Sequence, residues 1–316
     1  TRSQLEKRRA AVDRQVEQYL QELEAADSRQ EHTVKREHVE AALEQLTEER
    51  AALDLDDQAM RAEGKSQHCR TEPEARLMRS GRNGSVLGYN IQSVVETAHK
   101  LIVHHEVTQS GGDNRLLYPM AREAKAVLGQ DRLTVLADAG YSSGEHLQRC
   151  DDDGITALVP PNRAVNNTAS GGHYQRAVFV YEPSKDAYRC PAGEWLRHKT
   201  FSSKNQVHLY TTDACASCHL RSNCTSADRR WVSRHFHEAA FERSAERLRQ
   251  DRGAMIRRKA SVEAPFGTIK RQMGDGRFLC RGLSSVKAEM ALSVLAYNLK
   301  RLMNVVGIRA LLDQLA

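Results

Sequence analysis

The sequence predicts an α/β protein: a mixed sheet preceded by a helical hairpin and interrupted by an inserted cysteine-bearing module. Three observations carry this. Apolar residues recur at helical spacing through the first fifty positions. Between 88 and 159 the pattern alternates as β-β-α-β-α-β. From 161 to 235 the chain turns polar, glycine-bearing and irregular, before two helical stretches close it.

Leu5, Val12, Val16, Tyr19, Leu20 and Leu23 predict an amphipathic helix over 1–26. The polar break Asp27-Ser28-Arg29-Gln30 separates it from a second helix over 34–53, striped by Val39, Leu43, Leu46 and Leu53. A short polar turn between two helices makes an antiparallel hairpin. Gly88-Tyr89-Asn90-Ile91-Gln92-Ser93-Val94-Val95 alternates as a half-buried strand, and 101–108 is rich in β-branched residues. A helix over 116–128 follows, then the apolar strand Leu133-Thr134-Val135-Leu136-Ala137-Asp138, which ends in a carboxylate. Ser142-Ser143-Gly144-Glu145 has the Ser-x-x-Glu form of a helix start. A strand at 155–159 stops at Pro160-Pro161, and helical stretches at 237–273 and 285–304 end the chain. The expected division is 1–66 for the hairpin, 67–160 and 236–316 for the sheet and its closing helices, and 161–235 for the insert.

The 316 residues suffice for two or three compact units. A mean hydropathy of -0.62 and the lack of a long apolar run speak against a membrane span. Thr1-Arg2-Ser3-Gln4 is neither a signal peptide nor an initiating Met, so we expect a soluble intracellular protein that begins inside a longer reading frame. Net charge is only +6, but it is unevenly spread. Residues 229–301 hold 17 Lys/Arg against 7 Asp/Glu, while the rest holds 30 against 34. A localised basic field favours a polyanion, nucleic acid above all; the plainer alternative is a solvated basic helix.

Two carboxylates stand out. Asp138 ends a buried strand, where ligand-binding groups gather in α/β sheets. An Asp there can instead cap the next helix, but Ser142 offers a cap of its own. Glu263 lies in Arg257-Arg258-Lys259-Ala260-Ser261-Val262-Glu263-Ala264-Pro265-Phe266-Gly267-Thr268-Ile269-Lys270. A lone acid among cations can hold a metal while its neighbours hold phosphates. Its bland reading is a Lys259–Glu263 surface pair, worth about a few tenths of a kcal/mol. Pro265 is expected to kink the helix.

Cys190, Cys215, Cys218 and Cys224 all fall in the insert. The two-residue gap of Cys215-Ala216-Ser217-Cys218 suits a thiolate knuckle, and Cys190-Pro191-Ala192-Gly193 is similar to half of a zinc ribbon. Structural Zn²⁺, unliganded thiols and an iron–sulfur cluster all remain open here. Cys69, Cys150 and Cys280 read as ordinary thiols, and the pairs His104/His105 and His235/His237 receive no role.

Taken together, Gly88-Tyr89-Asn90-Ile91-Gln92, Ala137-Asp138-Ala139-Gly140-Tyr141, Val262-Glu263-Ala264-Pro265-Phe266-Gly267-Thr268-Ile269-Lys270 and Ala296-Tyr297-Asn298-Leu299-Lys300-Arg301 resemble the DDE transposases of bacterial insertion sequences. The resemblance covers nearly the whole chain, and the motifs stand in the family's order. It implies a ribonuclease-H-like mixed sheet and three acids that hold two divalent metals, Mg²⁺ or Mn²⁺. Asp138 would be the second acid, Glu263 the third, and Lys270 a contact to transposon-end DNA. Two departures stand out. The family's first Asp lies on a strand preceding the hairpin; none of Asp13, Asp27, Asp54, Asp56 and Asp57 ends a strand, so the first acid is expected upstream of Thr1. Ala264 also stands where relatives often carry His.

The implied chemistry is phosphodiester cleavage and strand transfer at transposon ends in a bacterial cytoplasm. Two Mg²⁺ ions about 3.5–4 Å apart activate the attacking oxygen and stabilise the leaving one, and oxygen ligands suit them. Without its first acid this chain is expected to bind double-stranded DNA, both inverted-repeat ends and target, yet to cut it weakly or not at all. Arg257, Arg258, Lys259, Lys270 and Arg271 are the expected phosphate contacts. Aromatic residues make up only 5% of the chain, so phosphate contact rather than base stacking should dominate, with steep salt dependence. The family implies a homodimer on DNA. Competing readings are an inactive DNA-binding or oligomerising fragment, a nuclease of the same fold, and a zinc-stabilised scaffold.

Overall fold

The computed structural model describes residues 1–27, 33–62, 64, 66–79, 84–162, 173–273 and 276–315. Most of the polar break after Asp27, and the insert's 163–172, lie outside the described residues. The chain divides into one unit of 1–90, 107–111 and 278–289, and a second of 91–106, 112–277 and 290–316.

In the first unit, α1 (Arg2–Asp27) and α2 (Thr33–Ala62) form the expected antiparallel hairpin. Its seam buries Leu5, Val12 and Met60. Charged pairs flank it: Arg8–Glu49 at 2.6 Å, Arg9–Asp54 at 2.7 Å, and Asp13–Arg50. The second helix runs past its expected end at 53, so Asp54, Asp56 and Asp57 lie inside it rather than after it. Cations neutralise them there. The buried Asp57 lies 2.8 Å from Arg61 and 3.6 Å from Arg9, and Asp56 lies 2.8 Å from Arg70. An antiparallel pair, β1 (Arg76–Arg79) and β2 (Ser85–Gly88), follows. The single strand expected over 88–95 is therefore split at Tyr89, whose hydroxyl donates to Glu72 at 2.8 Å.

The second unit keeps the expected order: β3 (Asn90–Val95), β4 (Ile102–Thr108), α3 (Leu117–Leu128), β5 (Leu133–Leu136), α4 (Gly144–Asp152) and β6 (Ile155–Leu158). Gly129 ends α3 in a left-handed conformation that a Cβ would disfavour. Strand β5 pairs in parallel with β6, Leu133 opposite Ile155. Leu117, Ala121, Leu147, Cys150, Ile155 and Phe241 share the core beneath them. Instead of one continuous sheet, the described strands form two separate pairs, β3–β4 and β5–β6.

The described part of the insert is regular, contrary to expectation. Five antiparallel strands, β7 (Val180–Glu182), β8 (Ala187–Arg189), β9 (Trp195–Ser202), β10 (Val207–Thr211) and β11 (Val232–His235), stand in the order β11-β10-β9-β8-β7. Phe179, Tyr188, Leu196, Tyr210 and Val232 form its small core. These strands carry few buried apolar residues, β9 burying Leu196 alone, which is why the sequence read as irregular.

The stretch 237–273 divides into α5 (Glu238–Gln250) and α6 (Ala254–Thr268), then a π-helical turn, Ile269–Met273. Pro265 is buried within α6, which continues past it; the irregularity comes one turn later. The helices α7 (Leu283–Val306) and α8 (Ile308–Leu315) complete the chain. Within the second unit Asn298 accepts from the Ile102 amide at 2.9 Å and donates to its carbonyl at 2.8 Å. The Tyr297 hydroxyl donates to the Lys100 carbonyl at 2.9 Å. The Tyr297-Asn298 motif thus pins the β3–β4 hairpin.

Candidate functional site

Asp138 follows β5 by two residues, in extended backbone just past the buried Ala137. Its Oδ1 accepts the Gly140 amide at 2.9 Å and caps a 3-10 turn, Ala139–Tyr141. The expected Ser142 cap is displaced by one residue: Ser143 caps α4 through the His146 amide. Ser142 instead accepts from the amide of Asn162 at 3.1 Å. The other oxygen of Asp138, Oδ2, accepts from Arg258 Nη2 at 2.6 Å. Side-chain exposures of 46% for Asp138 and 24% for Arg258 mark this as a half-open ion pair.

Two further polar groups join Asp138 that the sequence reading passed over. Gln92 on β3 is 3% exposed and donates to Asp113 Oδ1 at 2.8 Å. It also accepts from the Tyr141 hydroxyl. Burial, reinforced by the nearby carboxylates of Asp113 and Asp138, pushes the Tyr141 hydroxyl well above its usual range, so it remains a donor. A Cβ on Gly140 would stand 3.0 Å from Asp138 Oδ1 and 3.5 Å from Asp113 Oδ2. Two carboxylates therefore converge over a residue that has no side chain to intrude. The clue to Asp113 was its place in Gly111-Gly112-Asp113-Asn114, a turn between strand and helix.

Helix α6 supplies the third side of the site. Ser261 and Pro265 are buried on its inner face, and Lys100 Nζ donates to the Ala260 carbonyl at 2.9 Å. Arg258 is the α6 residue that touches Asp138, while Glu263 is exposed five positions on. Five residues of helix correspond to about 140° of rotation and about 7.5 Å of rise, so the two side chains leave α6 in different directions. Among the described residues no three His, Cys, Asp or Glu side chains stand close enough to hold a metal.

The basic residues fall into two groups. Arg257 pairs with Asp251 and Arg258 with Asp138, so both charges are partly answered within the chain. Lys259, Lys270 and Arg271 are exposed; Lys270 Nζ stands 5.6 Å from the centre of the Phe266 ring.

The four insert cysteines converge. Cys190, Cys215, Cys218 and Cys224 line one cavity of about 20 Å³. The Arg230 amide donates to Cys215 Sγ at 3.5 Å. Burial raises the Cys224 thiol, the three neighbouring cysteines add to this, and Arg230 opposes it. The four thiols thus line one cavity, but among the described residues no three of them stand close enough to hold a metal.

Residues 189–303 match the family model described as a transposase DDE domain. No curated protein and no solved structure matches the chain. The matched segment contains the four cysteines, the basic residues of α6 and Glu263, while Asp138 precedes it. No described helix is long and apolar enough to cross a membrane. Over residues 189–303 the chain is thus similar to a transposase DDE domain.

Proposed function

We propose that the protein is an insertion-sequence transposase that cleaves and joins DNA at transposon ends, with Asp138 and Glu263 as two of its acids on a ribonuclease-H-like sheet. The observation that carries this reading is the Asp138–Arg258 ion pair, which ties a strand-end carboxylate to the helix bearing Glu263. The oxygen donors are of the kind that Mg²⁺ or Mn²⁺ prefers, but they fall short in number: Arg258 holds one oxygen of Asp138, and Glu263 points elsewhere. A divalent ion would supply activation of the attacking oxygen and stabilisation of the leaving one. The chain's own residues have separate tasks. The Gly140 amide orients Asp138, Tyr141 and Gln92 hold Asp113 beside it, and Arg258 keeps the carboxylate neutralised until DNA draws the guanidinium away. Lys259, Lys270 and Arg271 are proposed to hold phosphates, with Arg257 and Arg258 joining them once released.

The insert is proposed to be a structural Zn²⁺ module. Four thiols around one cavity suit a tetrahedral, thiophilic ion, and their inward closure would accompany binding.

Incubating the purified chain with Mg²⁺ and a duplex bearing transposon ends tests the reading. Retarded migration of DNA with weak or no nicking is expected, because two acids alone hold the ion poorly. Failure to retard DNA at low salt would overturn it. The family match also suits an inactive DNA-binding fragment that competes with an intact enzyme. Detectable Mg²⁺-dependent nicking that disappears in Asp138→Asn would exclude that reading.

A further inference from the structure

Aromatic side chains make up only 5% of the chain, yet folding of the insert gathers rings on one patch of its sheet. Phe201 of β9 stands directly across from His208 of β10, so both rings leave the same face. Their centres are 4.7 Å apart. Phe236, just past β11, is brought beside them by its amide, which donates to the Gln206 carbonyl at 2.8 Å. Its ring lies 6.4 Å from that of Phe201, and 6.3 Å from that of His208 with the two planes 20° apart. The cluster is braced. His198 shares a 3.1 Å hydrogen bond with His208 and stands edge-on to the buried Tyr210, whose hydroxyl donates to Asp186 at 2.6 Å. Despite this order the phenyl rings of Phe201 and Phe236 are 40% and 60% exposed. Single exposed apolar residues are commonplace, but a fixed cluster marks a contact surface.

The charge around the rings is of one sign. Residues 195–212, which span β9, β10 and the turn between them, hold Arg197, Lys199 and Lys204, all exposed, and no Asp or Glu. On the next strand Arg234, across from His208, already answers Glu242 at 2.8 Å. The patch also continues toward Asp138. The Phe236 ring meets that of His237 at 4.9 Å. His235 and His237 in turn line a cavity of about 450 Å³ with Ser142 and Ser143, the residues that follow the Asp138 turn.

We infer that this patch is a platform for unpaired DNA: bases of a single strand stack on Phe201, His208 and Phe236 while Arg197, Lys199 and Lys204 hold its phosphates. Every base offers a π-face to an aromatic ring, and rings set among cations give single-strand binding that tolerates any sequence. A duplex is a poor occupant, because its base faces are already stacked on one another. A protein surface over the rings would bring apolar groups against three cations and two imidazoles; a polynucleotide answers rings and charges together. A strand laid along the patch runs from the β9–β10 turn to the cavity beside the Asp138 turn. That course would carry unpaired ends to the proposed cleavage site, but the platform itself rests on the insert's residues alone.

Fluorescence anisotropy with the full chain, without added divalent ion, tests this. The probes are a labelled oligothymidylate and a labelled duplex of equal length, about 12 nucleotides, within the span that single-strand-binding folds cover. Phe201→Ala with Phe236→Ala should weaken oligothymidylate binding at least about ten-fold. Duplex binding should change less than about two-fold, since its expected phosphate contacts lie elsewhere, at Lys259, Lys270 and Arg271. Phe201→Tyr with Phe236→Tyr should keep single-strand affinity within about three-fold, because a phenol stacks as a phenyl does. Oligonucleotides carrying bromouracil should photocrosslink to Phe201, His208 or Phe236. Unchanged oligothymidylate affinity in the alanine variant overturns the inference, as does equal loss on both probes or crosslinking confined to α6. A parent chain that binds the duplex but not the single strand also overturns it and leaves the transposase reading standing. Binding of the single strand alone supports the platform and counts against that reading. Self-association that the alanine variant abolishes assigns the rings to a second copy and rejects unpaired DNA as their occupant.

Discussion

Arg258 Nη2 lies 2.6 Å from Asp138 Oδ2, joining two residues 120 positions apart in the chain. A guanidinium thus stands on the carboxylate proposed to ligate a divalent ion. The pair is half-exposed, so its net contribution to folding is about 0–1 kcal/mol. Its consequence lies in competition for the carboxylate. Arg258→Ala should therefore strengthen Mn²⁺ binding at Asp138 by several-fold while shifting the urea midpoint little. Mn²⁺ titration followed by electron paramagnetic resonance measures this, and unchanged affinity would show that Arg258 does not compete with metal.

DNA affinity should separate the two groups of basic residues. Removing one phosphate-binding cation lowers the slope of log K against log salt by about 0.9. Lys270→Ala with Arg271→Ala should lower it by about 2 on that basis. Arg257→Ala should change it less, because Asp251 already answers that charge. Equal effects from all three positions would contradict the distinction.

Most of the fold was legible because β5 and β6 are continuous, largely apolar runs and α3 is an amphipathic helix. The insert's sheet was not, since its order rests on Tyr188, Leu196 and Tyr210 meeting across strands as short as three residues. Asp138 was legible from its place at a strand end. Gln92 and Asp113 were not, for a polar residue within a strand or turn reveals its partner only after folding. The extension of α2 through Asp54, Asp56 and Asp57 likewise depends on cations brought in by other segments.

The thiol cluster gives a prediction on metal removal. The purified protein should carry about one zinc per chain, as a four-thiolate site requires. Cys215→Ser or a strong chelator should remove it and disorder the Tyr188–Tyr210 core, lowering the near-ultraviolet tyrosine signal. Zinc-free protein with that signal intact would leave the cysteines as free thiols.

Glu96 should impose a pH dependence on the hairpin that faces α6. Burial acts to raise its carboxyl, but donation from the Leu101, Ala98 and His99 amides outweighs this and holds it below the usual range. A depressed folded value means the stabilisation is complete above the unfolded value, about 4.3, and fades as pH falls through the folded one. Glu96→Gln should be less stable at neutral pH, and its urea midpoint should fall less on acidification. Parallel pH curves for the two proteins would count against this role.

Buried Ser244 joins α5 to the end of β6, accepting the Val159 amide and donating to its carbonyl, both at 3.0 Å. Ser244→Ala orphans both groups and should cost about 1–3 kcal/mol in urea unfolding. A loss below about 0.5 kcal/mol, the low end for a net hydrogen bond, would show that the backbone finds other partners.

The most direct test of the proposed chemistry replaces Mg²⁺ by Fe²⁺ in the DNA-bound chain and maps backbone cuts made by locally generated hydroxyl radicals. Cuts should cluster at both Asp138 and Glu263, and both clusters should vanish in either Asp138→Ala or Glu263→Ala. Cuts confined to one of the two positions, or scattered without regard to these substitutions, would contradict a shared metal site.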